Sequence, residues 1–425
     1  MKSDLDALNL ITDKVLGYRR DQAEPKHKAP AGPAADFTFY EFFAGGGMVR
    51  SGLGLNWECL FANDFDFKKS AAYAANWGDG ELVTKDVGKL SAREIPGRAD
   101  LVWASFPCQD LSLAGMGAGL KGDRSGTFWP FWRLVKNLAA EKRGPSVIVL
   151  ENVCGTLTSH DGKDFPAIAD ALADSGYRFG AMVVDAAEFV PQSRPRLFII
   201  AVAKGLAIPE GLVAPESSLL WHSKALQVAH LRLKGKAKQQ WLWWKLPAPP
   251  RRNTRFADFV EDDPASVSWH TPEETERLLG MMSDLNEQKV DDAKKSGQLL
   301  VGTVYKRTRL DNKDKKKVQR AEIRFDDIAG CLRTSTGGSS RQLIVVVKGD
   351  EVRSRLLSSR EAARLMGLPD EYKLPRSYNE AYHLVGDGVV VPVVRYLAEN
   401  LLEPIVLSHQ PKGANASRNT VRTRH

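Results

Sequence analysis

An α/β fold, with a mostly parallel β-sheet covered by helices on both faces and followed by a smaller irregular domain, is what the 425-residue sequence predicts. Three observations carry that expectation. Six short apolar runs alternate with stretches of helical periodicity between Phe37 and about Lys204: Phe37–Phe43, Leu60–Ala62, Leu101–Ser105, Val147–Leu150, Ala181–Val184 and Leu197–Val202. The first run ends in Phe43-Ala44-Gly45-Gly46-Gly47, a strand-to-helix turn whose backbone amides can approach a ligand closely. After Lys204 the rhythm breaks, and Leu206–Arg320 is rich in Lys, Arg and Trp with weak periodicity.

In chain order, residues 1–36 read as a helix and linker: Ser3 caps a stretch whose apolar face holds Leu5, Leu8, Ile11, Val15 and Leu16, and Pro25–Ala35 is a Pro/Ala/Gly connector. Residues 37–204 form the sheet domain. Residues 205–320 form the irregular domain, with the turn-rich Leu246–Arg252 inside it. Residues 321–408 regain order through a Gly/Ser/Thr loop at Thr334–Ser340, an apolar run at Leu343–Val347, a helix at Ser359–Gly367 and a last helix at Val389–Leu402. The tail, 409–425, is polar and basic and is read as disordered.

Composition excludes several classes. No apolar run approaches the roughly 18 residues of a membrane span, and the leucines of the first turns alternate with charges, unlike a secretion signal, so a cytoplasmic protein is expected. The four cysteines, Cys59, Cys108, Cys154 and Cys331, have no paired spacing, which argues against a disulfide framework or a zinc site. The formal charge is +8, and Trp221–Arg320 alone holds 21 Lys and Arg against 13 Asp and Glu, so the basic excess is confined to the irregular domain. That suits a nucleic-acid surface, where phosphate neutralisation releases counterions, although a solvated lysine-rich linker has the same composition.

The candidate site residues follow the ends of the runs. Asp64 and Asp66 stand just past the second strand, where a carboxylate accepts hydrogen bonds from ribose hydroxyls, and Asp86 follows another short run, in reach of an adenine amino group. The glycine spacing is not GxGxxG, which disfavours a dinucleotide and suits a single nucleoside such as S-adenosylmethionine. Phe106-Pro107-Cys108-Gln109 follows the third run and Glu151-Asn152-Val153 the fourth. A cysteine alone is more often a buried small hydrophobe, but adjacent parallel strands would set this thiol beside a carboxyl. Arg194 and Arg196, two apart on an extended segment, point to one face, suited to a phosphate or a neighbouring acid; a pair of surface arginines is the plainer alternative.

Taken in order, Phe43-x-Gly45-x-Gly47, Phe106-Pro107-Cys108-Gln109, Glu151-Asn152-Val153, Gln192-x-Arg194-x-Arg196, Arg360-Glu361-x-x-Arg364-x-Met366-Gly367 and Gly386-Asp387-Gly388-Val389 resemble the motif series of the DNA (cytosine-5)-methyltransferases. The resemblance implies a Rossmann-like class I methyltransferase fold with a mainly parallel seven-stranded sheet, and a target recognition domain in the basic segment. It implies S-adenosylmethionine as cofactor, leaving as S-adenosylhomocysteine, with no metal. The cofactor contacts carried over are Phe43, Ala44, Gly45, Gly46, Gly47, Asp64, Phe65, Asp86, Val87, Pro107, Asp387, Gly388 and Val389, with Gly386–Val389 closing beside the glycine turn.

By the same resemblance, Cys108 adds to carbon-6 of cytosine, Glu151 is the acid at ring nitrogen-3, and Arg194 and Arg196 hold the base and the covalent intermediate. The base must be flipped out of the duplex for this chemistry. Gly115, Gly117, Gly119 and Gly122 would belong to a loop closing over it. DNA contacts are expected at Gln109, Ser112, Arg251, Arg252, Arg255, Lys315, Lys316, Lys317, Thr334 and Arg341. Trp221, Trp241, Trp243, Trp244 and Trp269 either form the small domain's core or stack on bases. The chain departs from the family at Asp387-Gly388, where Asn-Ser is usual, at Ser193 and Pro195, and at Ala114, too small to fill the space a flipped base leaves.

Double-stranded DNA is the expected partner, bound by a monomer with no membrane contact, and a cognate restriction endonuclease is the expected companion. The alternatives are a transfer-RNA cytosine-5 methyltransferase, disfavoured by the long basic insert, and a catalytically silent DNA-binding relative, disfavoured by the retention of Cys108 and Glu151. A nicotinamide-dependent oxidoreductase is disfavoured by the glycine spacing.

Overall fold

The side chains of the first strand, β1 (Phe37–Phe42), alternate between two apolar layers, and that alternation organises the large sheet. Phe37 and Phe39 pack on one face with Leu101, Trp103, Val147 and Val149, while Tyr40 and Phe42 pack on the other with Val102, Ala104, Ile148 and Leu150. Both faces are buried, so apolar residues occupy both faces of the strands rather than one. The computed structural model describes residues 35–107, 127–310, 317–332 and 341–409.

β2 (Trp57–Asp64), β3 (Leu82–Thr84), β4 (Leu101–Ala104), β5 (Val147–Val153), β6 (Tyr177–Asp185) and β7 (Pro195–Ala203) complete a seven-stranded sheet in the order β3-β2-β1-β4-β5-β7-β6. The first five strands pair in parallel, and the order reverses between β1 and β4, so the carboxyl ends of these two strands flank a crevice where such sheets take ligands. β7 is antiparallel to both β5 and β6. Its amino end therefore lies level with the carboxyl end of β5, Arg196 opposite Val153. The expected α/β class with a mainly parallel seven-stranded sheet is the observed one.

Helices cover both faces. Phe128–Ala140 and Asp164–Asp174 pack on the Tyr40/Phe42 side, and Val391–Leu397 with Glu403–Leu407 packs on the Phe37/Phe39 side. The last described helices reach the first described one, Met48–Leu53, so closely that a Cβ on Gly52 would lie 2.4 Å from Val394 Cβ. Trp57 Nε1 also donates to Glu403 Oε1 at 3.0 Å.

The segment after β7 differs from the irregular domain expected at 205–320. Its first part, which holds the two-stranded sheet of β8 (Val213–Ala214) and β9 (Trp243–Trp244), docks on the large sheet: Trp244 is fully buried, donates from Nε1 to Ile200 O at 3.2 Å, and belongs with Trp221 to the large sheet's core. Trp241 stacks edge-on against Phe165 and Phe179. Trp221, Trp241 and Trp244 therefore pack with the large sheet's core rather than with a small domain's, and the buried indoles of Trp221 and Trp244 satisfy their N–H groups on the backbone carbonyls of Leu246 and Ile200. Trp269 instead lies under the guanidinium groups of Arg353 and Arg355, at 4.0 and 4.7 Å.

The second part is regular. β10 (Leu299–Leu310), β11 (Lys317–Arg324), β12 (Leu343–Lys348) and β13 (Glu351–Leu356) form an antiparallel sheet in the order β11-β10-β12-β13, so the small sheet runs across residue 320 rather than ending there. Its core is Val304, Ala321, Ile323, Leu343, Val345 and Val347 under Leu278 and Val290 of the helices Pro272–Leu279 and Asp284–Lys295. Lysines and arginines hid β10 and β11, whereas β12 is the expected apolar run Leu343–Val347.

Candidate active site

The glycine turn lies at the switch point of the large sheet. Phe43 has φ 58°, in a left-handed region that a bulky side chain enters only when its surroundings force it. Gly47 has φ 77°, and a Cβ there would lie 2.4 Å from Trp77 Nε1, so both conformation and space require glycine. Gly46 O accepts hydrogen bonds from Tyr372 Oη at 2.7 Å and Trp77 Nε1 at 3.2 Å, which fixes the turn from outside. Ala44 N donates to Asn63 O at 2.9 Å.

Asp64 ends β2 beside this turn and is nearly buried; its carboxylate accepts from Gly45 N at 2.8 Å and Asp66 N at 2.9 Å. Burial holds its pKa above the ordinary value despite those two bonds. Phe65, next to it, is 66% exposed, leaving an aromatic face beside the turn. Asp86 is exposed and spends Oδ1 on Gly88 N at 2.8 Å, capping a short turn in which Val87 is buried. Gly388 rests on Met48, where a Cβ would lie 2.2 Å from Sδ, and Val389 is buried behind it, so the Gly386–Val389 turn does lie against the residue following Gly47. Asp387 Oδ2 accepts from Lys69 Nζ at 2.8 Å.

A second group gathers around the ends of β4, β5 and β7. Ala104 pairs with Leu150, which brings Glu151 level with the residues leading to Pro107. Asn152 Nδ2 donates to Phe106 O at 3.0 Å, tying the two strand ends together just before Pro107, which is exposed. Glu151 is 7% exposed, with Oε1 3.3 Å from Arg196 Nε. Cys108, Gln109 and Ser112 lie outside the described residues, as do Ala114 and the glycines at 115–122.

The two arginines share a face, as their spacing predicts, but have different surroundings. Arg196 pairs with Glu151 and keeps a partly accessible side chain. Arg194 is 2% exposed, and its guanidinium donates to the carbonyls of Leu332, Gly386 and Gly388 at 3.1, 2.8 and 2.7 Å. Burial and the neighbouring Arg196 charge lower its pKa to about 10. Arg194 holds the Gly386–Gly388 turn. The physical reason is that three inward-facing carbonyls need donors, and a guanidinium supplies five. Cys331 Sγ lies 3.3 Å from Arg194 Nη1 and 3.9 Å from Arg196 Nη2.

Sequence reasoning left Gln192 without a role of its own. It is fully buried, donating from Nε2 to Leu365 O at 2.8 Å and accepting at Oε1 from Leu332 N at 3.3 Å, and so joins the β7 approach to the helix Ser359–Leu365. Its place inside the arginine motif was the available signal. Asp185, not singled out either, caps the same approach by accepting from Arg194 N at 2.7 Å and Ser193 Oγ at 3.2 Å.

Of the expected DNA contacts, Arg251 is exposed, and Arg255 is exposed but hydrogen-bonded with Asp258. Arg252 folds back onto Ala187 O at 3.1 Å and Thr254 O, Arg341 bonds Asn379 over the Tyr378 ring, and Lys317 is exposed at the start of β11. Lys315, Lys316 and Thr334 lie outside the described residues. Among the described residues no group of three acidic, His or Cys side chains is placed to hold a metal ion, and no helix is long and apolar enough to cross a membrane.

A parallel sheet with a glycine turn at its switch point, an acid on the adjoining strand end and a paired arginine beside it defines a group-transfer enzyme of the nucleoside-binding α/β type. The family model of C-5 cytosine-specific DNA methylases matches residues 37–403. The chain belongs to that family and is a DNA cytosine methyltransferase. It is similar to the Type II methyltransferase M.HhaI of Haemophilus parahaemolyticus, with 26% identity over 85% of this chain and 93% of that protein. It is equally similar to M.HpaII of Haemophilus parainfluenzae, 26% identical over 95% of this chain and 99% of that one. The fold is also that of the S. pombe Dnmt2 methyltransferase, with TM-score 0.52 and 17% identity over 87% of this chain and 99% of the other. The Entamoeba histolytica methyltransferase EhMeth has TM-score 0.55 and 15% identity over 87% and 97% of the two chains.

Proposed function

We propose that the chain methylates carbon-5 of a cytosine flipped out of double-stranded DNA within a specific site, with Cys108 as nucleophile and Glu151 as the acid at ring nitrogen-3. The observation that carries this reading is the pairing of Glu151 with Arg196 beside the Phe106-Pro107 strand end, fastened by Asn152. Cys108 immediately follows Pro107 in sequence, so its attack on carbon-6 would start close to that carboxyl. Glu151 would support the attack by protonating or hydrogen-bonding nitrogen-3, which draws electron density from the ring. Arg196 orients Glu151, and Arg194 supports the site indirectly through the Gly386–Gly388 turn. Loss of the carbon-5 proton and elimination of the Cys108 thiol would then restore the free enzyme.

The residues fit S-adenosylmethionine. Gly45 has φ 56° and a Cβ there would meet nothing within 4 Å, so the turn is open on that side, with the Asp64 carboxylate and the Phe65 ring beside it. Phe43–Gly47, Asp64, Phe65, Asp86, Val87, Pro107 and Asp387–Val389 would hold it. When bound, the cofactor supplies an electrophilic methyl group. Lys315–Lys317, Arg251, Arg255 and Arg341, with Gln109, Ser112 and Thr334, would contact DNA. The Type II designation of the relatives supports a role beside a restriction endonuclease of the same specificity, and the proposed acting form is a cytoplasmic monomer.

The reading is tested with duplex DNA carrying 5-fluorocytosine at the target cytosine, located beforehand by bisulfite sequencing of DNA from a host expressing the chain. The wild type should form an adduct that survives denaturation, because fluorine cannot leave as a proton does. Cys108→Ser should form none and lose methyl transfer by more than about a thousandfold while still binding DNA. An adduct formed without the thiol would refute the role of Cys108.

A further inference from the structure

Lys69 is the cation at a junction of three carboxylates. It lies in the helix Phe67–Trp77, which Asp66 caps by accepting from Lys68 N at 2.8 Å and Lys69 N at 3.2 Å. Its ammonium donates to Asp387 at 2.8 Å across 318 residues of sequence. The neighbouring Lys68 pairs with Glu380 at 2.8 Å, so adjacent lysines fasten this helix to Tyr378–Asp387 at two points. The two attachments differ in burial: the Lys68 side chain is 71% exposed, that of Lys69 only 23%. A cleft of about 170 Å³ lies between the two helices, with Lys69, Asp66 and His383 on its lining. Burial opposes the Lys69 charge, yet the carboxylates of Asp387, Asp64 and Asp66 outweigh it and hold the pKa above the ordinary lysine value.

These carboxylates border the glycine turn. Asp64 is satisfied by the amides of Gly45 and Asp66, whereas Asp387 stands one residue from Gly388, which rests on Met48. An aspartate at position 387 adds a negative charge beside the glycine turn where the cofactor reading sets S-adenosylmethionine, and Lys69 is the group that answers it. We propose that Lys69 is a positioning residue for the cofactor site: its ammonium cancels and immobilises the Asp387 carboxylate, so that the turn presents a neutral rim to the amino-acid end of S-adenosylmethionine. This rests on the cofactor reading given above. Lys69 acts through Asp387 and need not touch the cofactor.

The test is calorimetric titration of the full chain with S-adenosylmethionine and with S-adenosylhomocysteine, alongside thermal melting. Lys69→Met should raise both dissociation constants about tenfold, the size of one uncompensated charge near a partly screened ligand. Lys69→Arg, which keeps the cation, should stay within about threefold of wild type, and adding Asp387→Asn to Lys69→Met should restore affinity to the same range. Lys69→Met binding as tightly as wild type would overturn the proposal. So would failure of Asp387→Asn to rescue a folded Lys69→Met chain, since a merely structural tether stays broken in the double variant. A wild-type chain that binds neither ligand would instead overturn the cofactor reading itself.

Discussion

The seven-stranded and four-stranded sheets treat charge in opposite ways. At the functional end of the large sheet, Asp64, Glu151 and Arg194 are nearly buried, and each is met by backbone amides, backbone carbonyls or one ion-pair partner. On the small sheet, Arg307 and Arg309 share Glu322 across the β10–β11 ladder while about half exposed, and Arg324 pairs with the exposed Asp326. Exposed pairs of this kind contribute about 0 to 1 kcal/mol and exchange readily for other anions such as phosphate. A buried charge cannot exchange in this way, since losing its partner costs several kcal/mol, on the order of 3 to 5. The difference suits a rigid chemical site set against an adaptable binding surface.

The sharpest way to break this comparison lies inside the large-sheet site, between Arg194 and Arg196. Arg194→Ala should lower unfolding free energy by about 3 kcal/mol or more, because three carbonyls lose a buried donor. Arg196→Ala should leave the melting temperature within a few degrees yet slow methyl transfer by roughly a hundredfold, through loss of Glu151 orientation. Denaturant unfolding and single-turnover rates measure the two, and equal destabilisation by both would erase the distinction.

A pH-dependent effect concerns Glu41, which lies within β1 and is 1% exposed. Burial pushes its carboxyl up from 4.5 to about 8, with the Arg50 charge acting in the opposite direction. The folded state then retains a proton that the unfolded chain releases, so this group's contribution is complete below about 4.5 and is lost as pH rises through about 8. Wild type should lose thermal stability across that window relative to Glu41→Gln; parallel pH profiles would show that the group is already ionised in the fold.

The smallest expected effect sharpens the other half of the comparison. Arg309→Ala and Lys317→Ala should change stability by less than about 0.5 kcal/mol. Each that contacts a phosphate should lower the slope of log affinity against log salt by about 1. Salt titrations of DNA binding measure this, and unchanged slopes would remove the β10–β11 edge from the DNA surface.

Much of the large domain was legible because its signals are local. The six apolar runs match six of the seven strands of the large sheet to within one residue at their carboxyl ends or lie inside them, and the glycines of Phe43–Gly47 mark the strand-to-helix turn. The small sheet was less legible, since lysines and arginines interrupt the apolar pattern of β10 at 306, 307 and 309 and of β11 at 317, 320 and 324. Likewise the tryptophans of residues 221–244 gave no sign of the surface they would cover, because aromatic composition is the same for a core, a docking edge and a stacking platform.

By itself the sequence determined the order of strands and helices, the glycine turn and the chemical character of the groups at each strand end, all set by periodicity and backbone sterics over a few residues. Only the tertiary structure decided that β7 runs antiparallel, which delivers Arg196 to Glu151, that Arg194 turns to carbonyls 192 and 194 residues away, and that Lys69 meets Asp387. The reason is physical: local conformation follows from each residue's own dihedral preferences, whereas the partner of a buried charge is fixed by which distant strands and helices pack to exclude water.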